Sequence, residues 1–212
     1  EWRTRQDAQT RLWEQQLPKM YPGSRYANRM PIGTIEVIEN FKPEELRAYY
    51  KKWYRPDQQA IIVVGDIDVD QVEATLKRTF ADVSAPVNPA KREPMPVPDN
   101  DKPLVSIATD KEAANTTLYL FYKHDILSPE QKGTIEGFVV NYFQQIAAAV
   151  MSERFDDLLH QANPPFIYAE AYDSDNFMIA KTKGAWTAAA LVKEGEIDAA
   201  MHTLVTETQR VK

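Results

Sequence analysis

The chain has 212 residues, 43% hydrophobic and 26% charged, with 25 Lys and Arg against 31 Asp and Glu and a formal net charge of −6. That size and apolar content suit one large domain or two small ones and exclude disorder by composition, while scattered positive charge excludes the basic patch that nucleic acid or an anionic membrane surface requires. The absence of cysteine removes disulfides, thiolate nucleophiles and cysteine zinc sites without fixing a compartment; no apolar run is long enough to span a bilayer and no signal-peptide pattern is visible.

Residue 1 is Glu and opens directly into the polar helical pattern EWRTRQDAQTRLWEQQL; the closing VTETQRVK has no Gly or Pro terminator. A fragment of a longer chain is the expectation. Residues 2–17 read as a helix, with Leu12, Trp13 and Leu17 on its later turns, ended by Pro18. KMYPGSRYANRMPIG follows as loop. Pro43 suits the first position of a second helix, and Phe41 and Leu46 are spaced for a hydrophobic staple. Leu46, Tyr49, Tyr50 and Trp53 form its apolar face. Glu44 and Glu45 sit at its positive end, Lys51, Lys52 and Arg55 at its negative end. Pro56 stops it.

Ala60 to Val64 is apolar without alternation, which predicts a strand covered on both faces and closed by Gly65. Asp68 caps the next predicted helix, with Gln71 three residues on and Val72, Leu76 and Phe80 as its buried stripe. Six prolines between Ala85 and Pro103 favour extended chain. A domain boundary is placed there: residues 1–84, a linker at 85–103, and 104–212. The later part reads as strand (LVSIATD), strand (NTTLYLFYKH), a long helix from Pro129 to about Gln161, strand (PFIYAEAYD), and a long strand near FMIAKTKGAWTAAALV after a tight turn at Asp173 to Asn176. A last helix carries Ile197, Met201, Leu204 and Val205. Paired strands followed by helices imply an α+β fold, antiparallel sheets with helices on one face.

The chemistry-bearing residues are sparse. His124, His160 and His202 have no second histidine at metal-binding spacing. Asp156, Asp157 and His160 share a helical neighbourhood, a pattern that an ordinary solvated helix face explains better than a metal site. His124 ends a strand and is expected to face a turn. There is no Gly-x-Ser-x-Gly elbow and no Gly-rich phosphate loop; Gly65-Asp66 alone carries almost no specificity. No catalytic residue is assigned in this chain.

One long stretch is more specific. Pro31-Ile32-Gly33-Thr34, Phe41, Leu46, Tyr50, Trp53-Tyr54-Arg55-Pro56 and the run ending at Gly65-Asp66 keep fixed offsets over more than fifty residues. They resemble the segment that follows the metal site in insulinase-like and pitrilysin-like zinc metallopeptidases, the inverted zincins with H-x-x-E-H. MSERFDDLLHQANPPFIYAEA also resembles the family's second domain, where Arg154 and Tyr168 are the matching positions. The resemblance implies two partial domains of the mitochondrial-processing-peptidase type and a parent that hydrolyses peptides with a zinc-activated water. It makes Gly65-Asp66 scaffold. No H-x-x-E-H occurs in the sequence, and by family order it would precede residue 1. The family's distal zinc-binding Glu falls at Glu1, on a face with Ala8 and Leu12 that Arg5 shares; the alternative is a frayed, exposed terminus. One carboxylate cannot hold zinc, since a catalytic site takes three protein ligands plus water. Zinc is therefore implied for the parent and not for this chain alone. The implied partners are a peptide substrate and a second homologous half or subunit closing a clamshell. The alternative is a non-catalytic homologue that serves as a partner or scaffold subunit. A bacterial periplasm or cell envelope is compatible with the absence of cysteine.

Overall fold

Asp7 opens the first helix by accepting a hydrogen bond from the Thr10 N–H at 2.9 Å. The computed structural model, which describes residues 7–211, carries that helix, α1, over Ala8–Met20. The expected 2–17 helix thus falls partly outside the described residues, and its expected stop at Pro18 is corrected. A proline in the last turn forfeits one backbone hydrogen bond. Burial of Leu17, Met20 and Tyr21 outweighs that loss. The buried Tyr21 hydroxyl donates to the Phe177 carbonyl at 2.7 Å and accepts from the Ile179 N–H at 3.3 Å. Tyr21, Leu17 and Met20 share a core cluster with Val97, Phe177, Ala180 and Ala185.

Those contacts explain how the described chain divides. One compact unit joins the chain up to Ile32 to the chain from Pro94 onward; the other is Gly33–Glu93. The sequence-based division assigned residues 1–84 together, whereas the side chains of α1 pack with the later segment.

The first unit is built on β1 (Thr116–His124), β2 (Phe166–Ser174) and β3 (Gly184–Val192), in the order β1-β3-β2, with both pairings antiparallel. The expected long last strand starts only at Gly184. Between β2 and β3 the chain forms a longer connection, with a bridge from Phe177 to Ala180 and Met178 at φ 54°. LVSIATD forms no strand, with Leu104, Val105 and Ile107 exposed. No neighbouring strand among the described residues takes its backbone groups, and a strand without a ladder is only extended chain. The predicted long helix is two. α5 (Pro129–Lys132) ends at Gly133, and α6 (Ile135–Leu159) restarts where Thr134 accepts from the Gly137 N–H at 3.0 Å. A Cβ on Gly137 would lie 2.1 Å from the Gln131 carbonyl oxygen, so the junction requires glycine.

α7 (Ile197–Arg210) joins α6 on one face of the sheet. Ala169 and Ala171 of β2 and Ala188, Ala190 and Val192 of β3 meet Met151 and Phe155 of α6 and Ala200 and Leu204 of α7. Small side chains on the strands let the helices approach closely. This is the expected α+β arrangement. At one end of the opposite face, Ala185 and Phe121 pack with α1. The outer edge of β2 is closed by a side chain: Ser152 of α6 donates to the Ala171 carbonyl and accepts from the Ala171 N–H, both at 2.9 Å. The hydroxyl thus stands in for a neighbouring strand.

The second unit contains α2 (Ile35–Asn40), α3 (Pro43–Trp53) and α4 (Val69–Thr79). α2 was not foreseen; Thr34 caps it. α3 begins at Pro43 with its acidic and basic ends as predicted. Asp68 caps α4, accepting from the Gln71 N–H at 3.0 Å. The doubly covered strand over Ala60–Val64 is corrected. No strand forms there, and Ile62 and Val64 are 84% and 90% exposed. The apolar face of α3 is likewise open at Leu46, Tyr49 and Tyr50, and Val72 and Leu76 of α4 are only half-buried. Arg55 is buried; its guanidinium donates to Asp57 at 3.0 and 3.1 Å and to the Lys52 and Ala90 carbonyls at 3.1 and 2.9 Å.

Candidate functional site

Glu1, the candidate third zinc ligand, lies outside the described residues. Among the described residues no group of three or more His, Cys, Asp or Glu side chains could hold a metal ion. These residues do not fit a catalytic zinc site, which needs three converging protein ligands, and no hydrolytic step follows from them. His160 is exposed, with Nδ1 2.8 Å from the Asp156 carbonyl oxygen and 3.9 Å from its carboxylate. His202 is exposed on α7. Asp66 is exposed beyond the unpaired Ala60–Val64 run.

The family-matching Arg154 and Tyr168 are not brought together. Arg154 projects from α6 to the α7 carboxylate of Glu207, which also takes Arg210 at 2.6 Å. Glu207 is buried, and the two guanidiniums compensate its charge. Tyr168 alternates along β2 with Ala169, whose side chain meets the helices, so Tyr168 faces away from them. Its hydroxyl donates to Glu170 at 2.8 Å, and that bond shifts its acidity towards higher pH. In this arrangement Arg154 fastens two helices, and Tyr168 lies on an exposed sheet face.

Two further constellations have structural geometry. Arg11 of α1 grips Asp110 at 2.7 and 2.8 Å and Glu112 at 2.6 Å. That guanidinium and the Glu112 N–H, 2.9 Å away, hold the Asp110 carboxyl down at about 2. An apolar cavity of about 250 Å³ opens between the sheet, α6 and α7, lined by Tyr122, Ala147, Met151, Trp186, Thr208 and Val211. It contains no acid–base pair.

The sequence reading missed one close contact. His124 does not face a turn: it crosses β3 and brings Nε2 to 3.2 Å from Asp173 Oδ2 on β2. The available signal was Gly184, opposite His124 in the register, where a missing side chain leaves room for the ring.

No helix among the described residues is long and apolar enough to cross a membrane. The family model described as the Peptidase M16 inactive domain matches residues 40–210. A zinc protease PQQL-like protein of Arabidopsis thaliana is 26% identical over 167 residues, 78% of this chain and 17% of that protein. The probable zinc protease PqqL of Escherichia coli is 31% identical over 123 residues, 58% of this chain and 13% of that protein. The crystal structure of the periplasmic protease PqqL from Escherichia coli superposes with a TM-score of 0.79 at 22% identity, covering 97% of this chain and 22% of that one. The first half of that protease, solved separately, gives 0.77, with this chain covering 43% of it. This chain therefore spans less than a fifth of the length of these curated relatives. With the family match running through most of its residues, the chain belongs to the M16 peptidase family, in the region of the family's inactive domain.

Proposed function

We propose that the chain is scaffold from a zinc-dependent metallopeptidase that hydrolyses peptides, and that the chain itself hydrolyses nothing. One observation carries this reading: an inactive-domain match over residues 40–210 in a sequence without H-x-x-E-H. The parent's zinc, when bound, polarises the scissile carbonyl and activates water. Glu1 is assigned as the third ligand of that zinc, joining a histidine pair carried elsewhere in the parent. The proline-rich tract at 85–103 is assigned as the linker between the parent's first two domains. The bare run at Ala60–Val64 and the open face of α3 support a first domain completed by other parts of the parent, because such apolar surface is stable only when covered. The same reading gives the parent a second homologous half that closes around a peptide, and a periplasmic location like that of the periplasmic protease PqqL from Escherichia coli, whose first half has been solved separately.

The purified chain, incubated with fluorogenic peptides and labelled casein with and without added zinc, is expected to give no cleavage above the buffer rate. Sustained cleavage abolished by a chelator refutes the assignment.

A further inference from the structure

We propose that His124 and Asp173 form a proton-holding latch across one end of the sheet, closed while the pair keeps one proton and released when that proton leaves. β1 ends at His124, whose partner on β3 is Gly184. The ring lies over that glycine. A Cβ there would meet His124 Cε1 at 2.4 Å and the Ser174 carbonyl oxygen at 2.8 Å. Only glycine lets an imidazole from β1 pass over the central strand to β2. The contact therefore ties all three strands together at one end.

Proton counting follows from the partners. His124 Nδ1 lies 2.9 Å from the Asp125 backbone carbonyl oxygen. A carbonyl only accepts, so Nδ1 carries a hydrogen. Nε2 then faces Asp173 Oδ2 at 3.2 Å. The contact is not aligned as a hydrogen bond, and buried Nε2 has no hydrogen-bond partner among the described residues. The Asp173 side chain is only 6% exposed. Without a shared proton, a lone pair on Nε2 would face a buried carboxylate. One proton turns that repulsion into attraction, as imidazolium and carboxylate or as imidazole and carboxylic acid. Burial pushes the Asp173 carboxyl up, and Asp175 adds to the shift while the imidazole opposes it.

The surrounding cations are engaged elsewhere. Lys132 of α5 holds Asp175 at 2.6 Å. Lys183 holds Asp125 at 2.7 Å and Asp99 at 2.8 Å. Lys123 donates to the Pro98 carbonyl at 2.7 Å. Among the described residues, the His124 ring is the basic side chain within contact distance of Asp173. A proton held by the folded pair and given up by the unfolded chain stabilises the fold, and that contribution is lost as pH rises through the folded pair's titration.

The test is a paired NMR titration of the 212-residue chain, following the His124 ring ¹⁵N signals and the Asp173 carboxyl ¹³C signal. Both are expected to move in one common step, with amide exchange at Lys123 and Ala185 faster than the intrinsic rate predicts across the same step. The folding equilibrium constant is expected to fall by up to about tenfold per pH unit through that window in the wild type, and the slope to vanish in Asp173→Asn. Should that variant fail to fold, the wild-type titration decides. An Asp173 carboxyl signal that does not respond across the step seen at the ring nitrogens, or amide exchange at Lys123 and Ala185 that keeps the intrinsic pH dependence through it, overturns the latch. So does an Asp173→Asn chain that keeps the wild-type pH profile.

Discussion

Replacing Ser152 with Ala removes a hydroxyl that serves both backbone groups of Ala171 on the outer edge of β2. Each neutral hydrogen bond is worth about 1 kcal/mol net, and a buried backbone group left unpaired costs about 1–3 kcal/mol. Ala171 is buried, so water reaches the abandoned groups poorly. The two effects overlap rather than add, and the expected loss is about 2–3 kcal/mol. For a chain of this size that corresponds to a fall in Tm of roughly 4–12 °C. Urea denaturation followed by circular dichroism measures the energy, and hydrogen exchange locates it. The Ala171 amide is expected to be protected in the wild type and to exchange freely in the variant. Ser152→Thr keeps the hydroxyl and should restore most of the protection. An unchanged midpoint together with a still-protected Ala171 amide would refute the view that one side chain closes this strand edge.

Two other perturbations probe different links. Leu204 is fully buried between α7 and the sheet in the cluster that contains Met151, Phe155 and Phe166. Leu204→Ala is expected to cost about 2–5 kcal/mol in urea denaturation, and Leu204→Met less than about 1.5 kcal/mol. Asp110, with a folded value of about 2 against 3.8 for the free side chain, contributes stability that is present above about pH 4 and lost as pH falls through about 2. Acid unfolding of Asp110→Asn should accordingly be flatter than the wild type between pH 4 and 2; parallel curves would show that the Arg11 contact does not stabilise the fold.

Local rules were enough for several elements, because their causes lie within a few residues. Pro43 and the Asp68 cap each specify an element without reference to distant chain. The long motif around Trp53-Tyr54-Arg55-Pro56 was likewise readable, because fixed offsets over many residues identify a family even where no catalytic group is present.

Expectations that needed a distant partner fared differently. Ala60–Val64 and LVSIATD have strand composition, but strand formation depends on a neighbour that sequence composition cannot supply. Pro18 stayed inside α1 because Tyr21 finds hydrogen-bond partners more than 150 residues away, at Phe177 and Ile179. Arg154 and Tyr168 both match the family's second domain, and the strand alternation sends Tyr168 to the side of the sheet away from the helices that Arg154 joins. His124 and Asp173 are separated in sequence by α5, α6 and most of β2, and the register of three strands makes them touch. The amino-acid order by itself determined the Pro43 start, the Asp68 cap, the Pro56 break and the family, since those follow from short-range backbone sterics and fixed spacing. Only the tertiary structure decided which side chains share buried space, because strand order and register bring residues together regardless of how far apart they lie along the chain.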